Sequence, residues 1–130
     1  MKDEFRKDER LYRNVIMDPN FWKKDSGGPS SAIFKDSNGV SVDRDGGREE
    51  ADITSGFISR FGVENIRVIV SVNAGYCMEI GAHLVYSPVE TNKYHAEIHD
   101  SPDKVPLHPK KARKLAKNCR VVYASEEDEK

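Results

Sequence analysis

Cysteine is scarce in this chain of 130 residues, with only Cys77 and Cys119 present. Neither sits in a Cys-x-x-Cys pair or at Cys/His zinc spacing, which excludes a disulfide scaffold and the usual structural zinc motifs. Two reduced, buried thiols are expected, because free cysteine packs as a small hydrophobe. Charge of one sign is lacking as well. The 21 basic and 22 acidic side chains sum to −1, so no global field drives the protein onto nucleic acid or an anionic membrane. No apolar run approaches the roughly 20 residues that span a bilayer. The opening Met1-Lys2-Asp3-Glu4-Phe5-Arg6 has no apolar signal core. A cytoplasmic protein without a membrane partner is expected.

Hydrophobic residues make up 37% of the chain and charged residues 33%, enough apolar material for one core at this length. The expected organisation is a charged arm over residues 1–9, one domain over 10–124 and an acidic tail over 125–130. Within the domain, Leu11-Tyr12-Arg13-Asn14-Val15-Ile16 reads as a strand, ended by Asp18-Pro19-Asn20. Ala32-Ile33-Phe34 and Val40-Ser41-Val42 flank Asn38-Gly39, the residue pair that favours a two-residue hairpin. Ile53, Phe57, Ile58 and Phe61 repeat at helical spacing before Gly62. The β-branched run Ile66-Arg67-Val68-Ile69-Val70-Ser71-Val72 suits the centre of a sheet.

Asn73 can cap a short helix that stops near Gly81. Strands are expected at residues 83–86 and 94–99, with a last one at 121–123. Pro109 suits the first position of a final helix, whose Ala112, Leu115, Ala116 and Cys119 form the apolar stripe. The expected fold is α+β, with a mixed or mostly antiparallel sheet and about three packed helices.

His95, Glu97 and His99 would share one face of a strand and have the side-chain chemistry of zinc ligands or proton carriers. At about 3.3 Å per residue, His95 and His99 would lie roughly 13 Å apart, too far to chelate one ion. No metal or cofactor is therefore expected, and a solvated strand face is the simpler reading. Residues 43–50, Asp-Arg-Asp-Gly-Gly-Arg-Glu-Glu, put Arg48 where a calcium loop needs glycine. The Gly46-Gly47 pair could offer N–H groups to an anion, but Glu49 and Glu50 would repel it. A flexible charged connection is expected there. Lys110, Lys111, Arg113, Lys114, Lys117 and Arg120 carry no acid among them between residues 109 and 120. This reads as a solvated face balanced by the acidic tail, or as a place for weak contact with a polyanion.

The segments Pro29-Ser30-Ser31-Ala32-Ile33-Phe34-Lys35, Val40-Ser41-Val42-Asp43-Arg44, Tyr94-His95-Ala96-Glu97-Ile98 and Ala112-Arg113-Lys114-Leu115-Ala116, with Leu11-Tyr12-Arg13, together resemble a family of small bacterial proteins with no established activity. The resemblance spans about residues 10–123 and implies a bacterial origin and no reaction. Leu11-Tyr12-Arg13 is also similar to the opening of RES-type toxins, which implies an NAD-consuming, ADP-ribosyltransferase-like alternative. The Gly-Arg-Trp-Asn segment of those toxins is missing.

With no complete catalytic motif, the leading expectation is a binding or accessory module whose partner is another protein. Trp22, Lys35, Asp43 and Arg44, together with Lys110, Arg113 and Lys114, are the candidate binding residues. The alternative is a small enzyme using Arg13, Ser31, His95 and Glu97.

Overall fold

The computed structural model describes residues 1–16, 22–23, 28–36 and 39–124, with the side chains of 16, 22, 23, 28 and 29 outside the description. The chain runs β1 (Arg10–Ile16), β2 (Trp22–Lys23), β3 (Gly28–Pro29), a 3₁₀ turn (Ser31–Phe34) and β4 (Val40–Arg44). It continues through α1 (Glu50–Phe61), a second 3₁₀ turn (Val63–Asn65), β5 (Ile66–Asn73), α2 (Ala74–Glu79) and β6 (His83–Tyr86). The last elements are β7 (His95–His99), α3 (Pro109–Asn118) and β8 (Arg120–Ala124). Six strands form one sheet in the order β6-β7-β4-β1-β5-β8, and every pairing in it is antiparallel. Strands β2 and β3 pair separately. The fold is α+β, a single domain with three α-helices among the described residues.

Strand alternation divides the side chains between two faces. Leu11 and Val15 of β1, Val40 and Val42 of β4, Val68, Val70 and Val72 of β5, and Ala96 and Ile98 of β7 point to a first face. There they pack with Ile33, Phe34, Cys77, Ala112 and Leu115, so the first 3₁₀ turn, α2 and α3 cover this side. Tyr12, Ile66 and Ile69 belong to the second face and pack under Ile53 and Phe57 of α1. Helix α1 contacts β5 and β8. It therefore lies over the β5–β8 half of the second face, and among the described residues no helix packs closely on β4, β7 and β6 from that side.

Local sequence explains the helices. Gly62 ends α1 with φ of 85°, a left-handed conformation that glycine adopts at little cost. The Asn73 carboxamide oxygen accepts from the Tyr76 N–H and caps α2. Pro109 opens α3 and the His108 ring caps it by accepting from the Lys110 N–H.

Two expectations are corrected. Residues 31–34 form a 3₁₀ turn and not the first arm of a hairpin. Ser30 Oγ accepts from the Ala32 N–H, and the neighbours Ile33 and Phe34 are both buried, which one alternating strand face cannot achieve. Both sides of β4 are already occupied by β1 and β7. Gly39 has the positive φ that the turn reading required, while Asn38 lies outside the described residues. Strand β5 is interior but sits one place from the edge; β4 and β1 hold the centre.

Candidate functional site

The uncovered half of the second face carries a polar row. Asp43 pairs with His95 across the β4–β7 ladder, and Ser41 pairs with Glu97 one step on. The end of α1 forms a wall beside this row. Arg60 Nη2 donates to Asp43 Oδ2 at 2.9 Å, while Asn92 Nδ2 donates to Asp43 Oδ1 at 2.9 Å. Asp43 is thus a buried carboxylate with a cation on one oxygen and an amide on the other, as burial of charge requires. Phe57 and Phe61 stack with ring centres 6.1 Å apart, and the Arg60 guanidinium lies 4.9 Å from Phe57 and 5.2 Å from Phe61.

These groups border a groove of about 250 Å³ that also reaches Arg13, Asn14 and His95. The Asn14 Oδ1 atom is buried there without a hydrogen-bond partner among the described residues. Phe61 remains 45% exposed at the rim.

His95 Nδ1 lies 2.8 Å from the Ser87 carbonyl oxygen. A carbonyl only accepts, so Nδ1 carries the proton, and Nε2 of the neutral ring is left as an acceptor. Glu97 Oε1 is bonded to His99 Nε2 at 2.8 Å. Among the described residues, no three His, Cys, Asp or Glu side chains are grouped closely enough to hold a metal ion.

Strands β1 and β4 share only two paired positions, Leu11 with Arg44 and Tyr12 with Asp43. Beyond them the Arg13 guanidinium joins the strands: Nη1 donates to Ser41 O at 2.8 Å, and Nε donates to Ile33 O. Burial lowers its pKa, opposed by the nearby Asp36 carboxylate. Arg13 shares the face of Leu11 and Val15, and Ser31 opens the turn that covers that face. Arg13 nevertheless lines the same groove as His95, whereas Ser31 and Glu97 do not line it, so the structure brings together two of the four residues expected for catalysis.

No family model, curated protein or solved structure matches the chain. The site rests on its own geometry.

Arg44 and the residues after it have a different setting. The Arg44 side chain is 4% exposed and bonds both oxygens of Glu9, at 2.7 and 3.0 Å. It also donates to the carbonyls of Lys2 and Glu4, and its guanidinium carbon lies 4.0 Å from the centre of the Phe5 ring and 4.8 Å from that of Tyr86. Residues 1–9 are thereby fixed to β4 and β6. The stretch expected to be a flexible connection is wired throughout. Asp45 accepts from the N–H groups of Arg10 and Gly47, both at 2.8 Å, and Arg48 lies over the Tyr94 ring at 3.5 Å while bonding Asp45 O and Arg44 O. A cleft of about 480 Å³ remains between residues 1–9 and this turn.

Lys35 is exposed beyond the first 3₁₀ turn, and the Trp22 side chain and the acidic tail lie outside the described residues. Burial raises the Cys77 thiol to about 12 and the Cys119 thiol to about 11, so both are protonated and poor nucleophiles near neutral pH. Arg60 and Asn92, which complete the site around Asp43, were not among the sequence candidates. Arg60 follows Phe57 by three residues, close to one helical turn, an aromatic–cation spacing that could have flagged it.

Proposed function

We propose that this protein is a binding or accessory module that receives a projecting side chain or short segment of a protein partner in the groove beside Asp43. One observation carries the reading: Asp43, Arg60, Asn92 and His95 converge with Phe57 and Phe61 on one groove, while of the catalytic candidates Ser31 and Glu97 lie outside it. The size of the groove favours a protein partner over a cofactor. At about 250 Å³ it falls below the roughly 300–1,000 Å³ of ordinary small-molecule pockets, so a dinucleotide would not be enclosed. An aromatic pair with an arginine is also the composition that anchors protein interfaces.

The NAD-consuming alternative draws on His95, with its Nε2 acceptor, and on Arg13, which lines the same groove. One paired experiment separates the readings. Purified protein is incubated with NAD and nicotinamide is measured, and partners captured from a bacterial lysate are compared for wild type and Phe61→Glu. Phe61 is exposed, so its replacement perturbs the groove rim and spares the core. The expected result is intact NAD and at least tenfold weaker capture by Phe61→Glu, relative to wild type. Nicotinamide release that disappears in His95→Ala would overturn the binding-module reading.

A further inference from the structure

The six cations between Lys110 and Arg120 are divided by the fold. Lys111 Nζ is occupied by the Gly81 carbonyl at 2.9 Å, the Asp100 carbonyl at 3.1 Å and the Asp100 carboxylate at 3.2 Å. Arg120 is engaged by Glu50, which also accepts from the Tyr12 hydroxyl at 2.9 Å. Lys110, Arg113, Lys114 and Lys117 are exposed and have no ion-pair partner among the described residues. Their spacing of i, i+3, i+4 and i+7 puts all four within an arc of roughly 100° along about 10 Å of helix. Ala112, Leu115 and Ala116 are buried on the opposite side.

The chemistry of this stripe selects its partner. Interface cores between proteins are enriched in aromatics and depleted of lysine, and this stripe is three lysines and an arginine with no aromatic among them. Single-stranded nucleic acid is held by stacking on aromatic rings, which α3 does not have. Duplex RNA is recognised mostly by shape, with 2′-hydroxyl and phosphate contacts spread over about 16 base pairs, and a stripe about 10 Å long covers only a small part of such a site. Duplex DNA carries one negative charge per about 1.7 Å with both strands counted, so about 10 Å of duplex presents roughly six phosphates, about three on each strand, to a stripe of four cations. The positive N-terminal end of α3 adds to the attraction at Lys110. We propose that the outer face of α3 binds the phosphate backbone of double-stranded DNA without reading its sequence.

The test is fluorescence anisotropy with two labelled duplexes of unrelated sequence, titrated with full-length protein over a range of salt. Both duplexes should bind equally, with log K falling against log salt at a slope of about −3.6 if all four cations neutralise phosphates. Lys114→Gln should reduce that slope by about 0.9. Joint replacement of Lys110, Arg113, Lys114 and Lys117 by glutamate should abolish binding, with circular dichroism checking the fold. Should the quadruple variant not fold, the Lys114→Gln slope decides. Absence of binding by wild type at low salt would overturn the proposal. So would an unchanged slope in Lys114→Gln, tighter binding to a duplex RNA of matching sequence, or displacement of DNA by poly-glutamate at equal charge concentration.

Discussion

Arg44 shows how a single residue can be visible in the sequence while its work is not. Asp43 and Arg44 stand out as charges after Val40 and Val42, and a solvent-facing binding role follows if they are taken as loop residues. Arg44, however, has the same strand parity as Val40 and Val42, and so belongs to their face. That parity is the signal that could have marked it as a buried cation. Its partner Glu9 and the rings of Phe5 and Tyr86 come from distant parts of the chain, and no local spacing announces them. The planar, multiply bonded geometry also excludes lysine as an equivalent. Arg44→Met should destabilise the protein by about 3–5 kcal/mol in urea unfolding, because Glu9 would remain buried without its counter-charge. Adding Glu9→Gln should recover part of that loss, and a strictly additive double variant would show that the two side chains are not coupled.

At the scale of elements, the helices were legible because their signals are local. The spacing of Ile53 and Phe57, the Asn73 cap, Pro109 and the glycine stop at Gly62 each specify geometry within one or two turns. The hairpin expectation failed because Asn-Gly reports tolerance of positive φ and says nothing of which strand will pair with β4. That choice was made by β1 and β7, the latter drawn from half a chain away. The turn between β4 and α1 was misjudged for a related reason: its glycines suggest freedom, while its hydrogen bonds remove it. Gly46 leaves room for Tyr94, where an added Cβ would meet Cε1 at 2.4 Å.

Burial pushes the Asp45 carboxyl up, but the N–H groups of Gly47 and Arg10 outweigh it and hold its pKa below the ordinary value. A depressed folded pKa contributes stability that is complete above the unfolded value, about 3.9, and is lost as pH falls through the folded one. The urea midpoint should therefore respond to Asp45 only below about pH 4 to 5. Asp45→Asn should be less stable at neutral pH and should lose part of that acid dependence. Equal acid dependence in wild type and variant would sink the assignment.

For the molecule as a whole, the helix-free half of the second face and the outer side of α3 lie on opposite sides of the sheet. A partner at the groove and a duplex along α3 can therefore be accommodated by different surfaces of one domain. What the sequence could not disclose about either surface is which charges the fold consumes internally. Lys111 and Arg120 look no different from Lys110 and Lys114 until Asp100 and Glu50 are brought beside them.

The sheet order has a kinetic consequence. Strand β1, central in the sheet, finds its long ladder with β5, so that Arg10 meets Asn73 and Asn14 meets Ile69. The adjoining β4 is zipped to β7. Few of these contacts can form before large loops close, and the closure entropy falls on the rate-limiting barrier. Stopped-flow refolding should place the protein among slow two-state folders, in the millisecond-to-second range typical of sheets built on non-local pairing. Val15→Ala, which thins the β1–β5 seam, should slow refolding more than it accelerates unfolding if that seam belongs to the nucleus, giving a φ-value above about 0.5. During synthesis the ribosome would release β1 well before β5 exists to receive it, which makes the apolar Leu11, Tyr12 and Val15 a natural early target for chaperones.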